Sequence, residues 1–155
     1  MSRYGTTPGR AEEYRQQGEK AVRPRDAATL IIVQQADEPR ILLGKRSMKH
    51  KFMPGKFVFP GGRLDYIDQR IKVPSELTNT VFTRLRREIR SNVSDAKLRG
   101  LALAAIRETF EETGLVVGRQ SPEVVRTTNH SWTQYFSHGV VPPLEDMDFI
   151  ARAIT

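Results

Sequence analysis

The stretch Arg107-Glu108-Thr109-Phe110-Glu111-Glu112-Thr113-Gly114-Leu115 decides how the rest of this chain is read. Leu103, Ile106 and Phe110 recur at helical spacing, so one apolar stripe must face a core. Glu108, Glu111 and Glu112 fall at i, i+3 and i+4, which stacks three carboxylates on another face of the same helix. The helical run is expected to begin near Leu101 and to end at Gly114, a residue suited to the left-handed position. Like charges this close repel by roughly a few tenths of a kcal/mol per pair. They also sit toward the C-terminal end, where the macrodipole disfavours anions. A helix built for stability alone avoids both arrangements, and a hard divalent cation with oxygen ligands relieves them. Taken alone, the cluster reads more readily as a solvated acidic face in which Arg107 pairs with Glu111.

Working outward, Ala105-Ile106 supplies an apolar approach to Arg107, and Phe59-Pro60-Gly61-Gly62 reads as a strand end followed by a sharp turn. Bare glycines there let the backbone come close to a ligand. Together, R-E-x-x-E-E-x-G and the upstream F-P-G-G resemble the two halves of the box that marks the Nudix hydrolases, with Thr109 where the family usually has an aliphatic residue. The resemblance implies an α/β fold, an α/β/α sandwich around a mixed sheet, and metal-dependent hydrolysis of a diphosphate linked to a nucleoside. It implies Mg²⁺ or Mn²⁺ as cofactor, with Glu108, Glu111 and Glu112 as metal ligands. Arg107 would orient Glu111, Gly61 and Gly62 would approach the substrate, and Gly62 would lend a backbone carbonyl to a metal. Glu108 is the general base in some members, and a glutamate beyond the box in others.

One departure is large. An ordinary box places its first glycine about fourteen positions before the Arg-Glu pair, which lands here on Val93. The box's first glutamate falls on Arg99. Gly62 lies 45 positions before Arg107, so about 31 residues are inserted, at about 63–98. The insert holds Asp65, Tyr66 and Asp68, an expected helix start at Pro74-Ser75, and the basic run Arg84 to Arg90, read as a solvated helix. A split box of this sort resembles the branch that includes acyl-coenzyme A diphosphatases. A second resemblance agrees: Leu42-Leu43-Gly44-Lys45-Arg46-Ser47, then Lys51, Gly55 and Phe59-Pro60-Gly61-Gly62, follow the spacing of the coenzyme A diphosphatase motif. Gly44 replaces a threonine there and Lys51 an arginine, which loses a bidentate fork for phosphate. Arg46 and Lys51 are the expected phosphate clamp, and coenzyme A or an acyl-coenzyme A the expected substrate; nucleoside triphosphates and nucleotide sugars compete.

The chain has 155 residues, enough for one domain with its own core. Its net charge of +7 favours anionic partners, a diphosphate-containing small molecule above all. With no cysteine, disulfides and thiolate metal sites are excluded. No apolar run reaches the roughly 20 residues of a membrane span, and there is no apolar core of a signal peptide, so a cytoplasmic protein is expected. Residues 1–26 read as a polar, basic leader, with a short helix over Ala11 to Gln17, and residues 27–155 as the Nudix domain. Ala28 to Val33 is a β-branched apolar run expected to be covered on both faces. Asp37-Glu38-Pro39 turns the chain into a second strand over Arg40 to Arg46, and Phe57 to Phe59 is a third.

After the acidic stretch, Leu115 to Gly118 reads as a strand and Ser131 to Phe136 as a short helix capped by Ser131 or Asn129. Trp132, Tyr135 and Phe136 are expected to pack in a core or lid. A final helix is expected from Pro142-Pro143, with Leu144, Met147 and Ile150 on one stripe; His130 and His138 are expected on the surface. Only 40 residues follow Leu115, fewer than the resemblance needs, so the fold is expected to be incomplete at its C-terminus or completed by a second copy as a homodimer. Two other classes compete: a catalytically inactive nucleotide-binding scaffold, and a nucleic-acid-binding module. The basic run lacks the interleaved aromatics that stack bases, which argues against nucleic acid.

Overall fold

The computed structural model describes residues 25–49, 54–89 and 92–153. The expected leader helix over Ala11 to Gln17, Lys51 and the end of the basic run at Arg90 lie outside them. Among the described residues, eight short strands and three helices follow in order: β1 (Ala27–Thr29), β2 (Val33–Gln34), β3 (Arg40–Ile41), β4 (Gly44–Lys45), β5 (Phe57–Val58), β6 (Gly61–Arg63), α1 (Asn79–Glu88), α2 (Asp95–Thr113), β7 (Arg119–Gln120), α3 (His130–Phe136) and β8 (Val140–Val141). Single 3₁₀ turns occupy Ile67–Gln69 and Leu144–Asp146.

The first three extended segments pair two by two. β1 runs antiparallel to β6, β2 to β3, and β4 to β5, so each segment gives one half to each of the others. Bonds from Leu30 N–H to Pro60 O and from Leu42 N–H to Ile32 O carry these ladders toward a common junction. The expected long strands are therefore broken. Along 27–33 exposure alternates residue by residue, and Ile31 and Val33 are 41% and 49% exposed, so this segment is covered on one face rather than two. A run of β-branched residues reports extended backbone and not how many faces are packed.

The mixed sheet is not formed among the described residues: all four ladders, including β7 with β8, are antiparallel. A parallel pair needs a crossover that returns the chain to the same sheet, and here the chain leaving α2 pairs β7 with β8 instead. Leu115 to Gly118 forms no strand; the carbonyl of Val117 is taken by the Tyr135 hydroxyl at 2.6 Å. The expected final helix is one turn only. Met147 is extended, and Glu145 and Asp146 are held by Arg119.

Helix α2 begins at Asp95, before Leu101, because the Ser94 hydroxyl accepts the Lys97 N–H and caps it there. It ends as its sequence requires, at Gly114 with φ 71°. Leu98, Leu103 and Ile106 are fully buried, each worth about 1.5–3 kcal/mol of burial. Helix α1 starts at Asn79, capped by Thr78, and not at Pro74-Ser75. The Ser75 hydroxyl instead bonds Pro142 O and accepts from Leu144 N–H. Ile71, Leu77 and Val81 of the inserted stretch share one core cluster with Ile106, Trp132, Tyr135 and Leu144. The insert is thus part of the core. Of the two cap candidates Asn129 is the one that caps α3; of the three aromatics expected to pack, Trp132 and Tyr135 are fully buried and Phe136 half-buried; both His130 and His138 are exposed. No helix of the described residues is long and apolar enough to cross a membrane.

Candidate functional site

Helix α2 lies against β1, β6 and the turn at Ile67–Gln69, which brings its acidic face to the Gly61-Gly62 turn. A Cβ placed on Gly62 would sit 2.4 Å from the carboxylate of Glu108. The N–H of Gly61 donates to Glu112 Oε2 at 3.1 Å. Two carboxylates one helical turn apart thus meet two adjacent glycines, and any side chain at 62 would occupy the space of the first. Gly61 itself has φ 150°, and a Cβ there would lie 2.3 Å from Ala28 O, so this position must be glycine for the ladder to close.

Arg107 is the hub of the site. Buried to 3% exposure, it donates from Nε and Nη2 to the two oxygens of Asp68, both at 3.0 Å. Its Nη2 also reaches Arg63 O at 3.0 Å, and its Nη1 donates to Glu108 Oε1 at 3.0 Å and Glu111 Oε1 at 3.1 Å. Desolvation by burial acts to lower its pKa, but the hydrogen bonds and charges of Asp68 and the glutamates outweigh it, so the guanidinium is held more firmly protonated than usual. Glu108 moves the other way from the norm for an ion-paired carboxylate. Burial raises its pKa and Glu111 and Glu112 add to the rise, overcoming the neighbouring Arg107. Thr109, in the position of an aliphatic residue, is fully buried, and its hydroxyl is satisfied by Ala105 O at 2.7 Å.

The structure therefore brings together Gly61, Gly62, Arg107, Glu108, Glu111 and Glu112. Arg46 stands at the end of the β4–β5 ladder, its backbone paired with Lys56 and Gly55, and Lys51 lies outside the described residues.

Sequence reasoning missed Asp68. Fully buried, it accepts from Arg107 twice, from Trp132 Nε1 at 3.0 Å and from its neighbour Asp65 N–H at 2.9 Å. Counting back from Arg107 put the box's glutamate on Arg99, six residues after Val93. Counting six forward from the real turn glycine, Gly62, reaches Asp68. The acidic partner sits among the first residues of the stretch 63–98. Arg99 does something else: it braces the insert, donating to Ile71 O at 2.7 Å and pairing with Glu76 at 3.0 Å.

No family model matches this sequence, and no curated protein matches it. Among solved structures, the chain is similar to a crystal structure of a NUDIX hydrolase from Alicyclobacillus acidocaldarius, at 22% identity and a TM-score of 0.49, over 78% of this chain. It spans 57% of the length of that structure.

Among the described residues no three acidic or histidine side chains converge into a cage for a metal. Mg²⁺ seldom needs one: it is held by one or two carboxylates, with waters and substrate phosphates completing its shell. Glu108 and Glu112 at one turn, with Glu111 beside them, fit that requirement, and a cation would offset both the burial of the Glu108 carboxylate and its smaller repulsion from Glu111 and Glu112. Two open clefts of about 530 and 500 Å³ lie elsewhere. Neither includes a glutamate of α2, and the first is lined by both signs, Arg25, Arg63 and Lys97 against Asp26 and Asp65. Chemistry favours the carboxylate turn, where like charges are held together, over clefts that mix both signs.

Proposed function

We propose that this chain is a Nudix-type hydrolase, built as an α/β/α sandwich, that cleaves a diphosphate linked to a nucleoside with Mg²⁺ or Mn²⁺. The observation that carries the reading is the meeting of Glu108 and Glu112 with the Gly61-Gly62 turn. Gly61 is required by the ladder, but an acidic helix face with no ligand to serve would have no use for a bare glycine at 62 against its carboxylate.

Glu108 and Glu112 would hold the cation, with Glu111 joining directly or through water. When bound, the cation neutralises the diphosphate oxygens and brings a water into line for attack. Arg107 keeps Glu108 and Glu111 in one arrangement by donating to both from a single nitrogen. Glu108 is the carboxylate whose burial lifts its proton affinity toward that of a general base. Arg46 and Lys51 would grip phosphate. The spacing from Leu42 to Gly62 supports coenzyme A or an acyl-coenzyme A as the substrate, and the net charge of +7 suits such anions.

The test is an assay with Mg²⁺ or Mn²⁺ on coenzyme A, an acyl-coenzyme A and a nucleotide panel, with products resolved by chromatography. Release of a phosphopantetheine product and adenosine 3′,5′-bisphosphate is expected. Turnover of another diphosphate alone would overturn the coenzyme A assignment and keep the hydrolase. Silence across the panel from folded, metal-loaded protein would overturn the enzyme.

A further inference from the structure

Trp132 is the single tryptophan of the chain and lies fully buried on α3, beyond the acidic stretch. An indole can make one hydrogen bond, as a donor, and this one goes to Asp68 Oδ1 at 3.0 Å. The same oxygen accepts from Arg107 Nε at 3.0 Å, and the other accepts from Arg107 Nη2 at 3.0 Å and Asp65 N–H at 2.9 Å. The carboxylate is fully engaged, so its plane is set by four donors. The guanidinium it grips is rigid: once two nitrogens are fixed on Asp68, the third, Nη1, has one direction left. That direction ends on Glu108 and Glu111.

We propose that Trp132 is a positioning residue for the carboxylate site, its indole N–H acting through Asp68 and Arg107 to hold Glu108 and Glu111 where a divalent cation binds. This rests on the proposed metal-dependent function and goes beyond it by giving α3, which has none of the acidic residues, a part in the site. The competing role is packing. Trp132 stacks on Phe136, with ring centroids 5.4 Å apart, and meets Tyr135 edge-on at 5.2 Å. Packing needs only the shape of the ring system; positioning needs its N–H.

One atom separates the two. Because the chain has one tryptophan, replacing that amino acid throughout with 3-benzothienyl-alanine keeps the bicyclic shape and puts sulfur in place of the N–H at a single site. Trp132→Phe is the companion variant, and thermal melting reports the fold of each. Binding of Mn²⁺ alone is read by electron paramagnetic resonance of the free ion, and kcat and KM are measured on a diphosphate that the unmodified protein cleaves. The expected result is an isostere that still melts cooperatively, a little below the unmodified protein for the lost hydrogen bond, binds Mn²⁺ about fivefold more weakly, and loses kcat at unchanged KM. Unmodified Mn²⁺ affinity and kcat in the isostere would overturn the proposal and leave Trp132 a packing residue. If the unmodified protein itself binds no Mn²⁺, the metal-dependent reading falls first and takes this one with it. Should Trp132→Phe lose its fold, the isostere still decides.

Discussion

Asp68 and Arg107, 39 residues apart in sequence, face each other in the core through two hydrogen bonds of 3.0 Å, with Asp68 wholly excluded from solvent. A pair this buried contributes little net stability, because both charges have been taken out of water, yet it is costly to break on one side. Asp68→Ala leaves the guanidinium buried with Arg63 O, the two glutamates and the more distant Asp65, at 3.8 Å, for partners. It is expected to destabilise the fold by about 3–5 kcal/mol, read from urea unfolding midpoints. A loss below about 1 kcal/mol would mean that water reaches Arg107 as readily as Asp68 does.

The two glycines of the turn are expected to fail differently. At Gly61 a Cβ meets backbone, Ala28 O at 2.3 Å and Thr29 Cα at 2.5 Å, with φ at 150°. Gly61→Ala should therefore cost about 2–4 kcal/mol of stability. At Gly62 the Cβ meets the movable end of Glu108, its carboxylate at 2.4 Å. Gly62→Ala should melt near the wild-type temperature while turnover drops about 10- to 100-fold. Melting curves and initial rates on the two variants check this, and equal melting losses in both would contradict the distinction.

Glu112→Gln keeps an oxygen able to accept the Gly61 N–H and removes the charge. Glu112 is exposed, so the fold should be unaffected. Turnover is expected to fall by about two orders of magnitude or more, with Mn²⁺ binding weakened in parallel. A variant that cleaves at the normal rate would remove Glu112 from the site.

Tyr135 carries a pH signature. Burial pushes its hydroxyl pKa up, and the group donates to Val117 O at 2.6 Å. The folded state therefore holds this proton more tightly than the unfolded chain does. Stability from this group is intact below the unfolded value of about 10 and is lost as pH rises above it, by up to about 1.4 kcal/mol per pH unit. Tyr135→Phe should cost about 1 kcal/mol at neutral pH and flatten the alkaline loss. Unfolding free energies of both proteins between pH 8 and about 11 test this by difference, which cancels the lysines.

The acidic face was legible because it is local. Three glutamates and three apolar residues on a 3.6-residue period need no partner to be recognised, and Gly114 ends that helix wherever it is placed. The cap of α3 was narrowed to Ser131 or Asn129, and the packing of Trp132 and Tyr135 was readable, for the same reason. The paired glycines at 61 and 62 announced a tight approach without saying what approached. By contrast, Ser75 looked like a helix cap and instead ties the insert to Pro142 and Leu144, a choice made by residues nearly seventy positions away.

By itself, then, the sequence determined a helix with one apolar and one acidic face, a glycine turn upstream, and a net charge of +7. Only the tertiary structure decided which acid meets Arg107, that the insert joins the core through Ile71, Leu77 and Val81, and that the apolar strand of 27–33 is covered on one side. The physical reason is the range of the interactions. Helix faces and caps arise from hydrogen bonds and side-chain spacing within four residues of each other, which a linear reading contains. Burying Asp68 against Arg107 and Trp132 depends on desolvation and packing between segments 39 and 64 residues apart, and those exist only once the chain has closed.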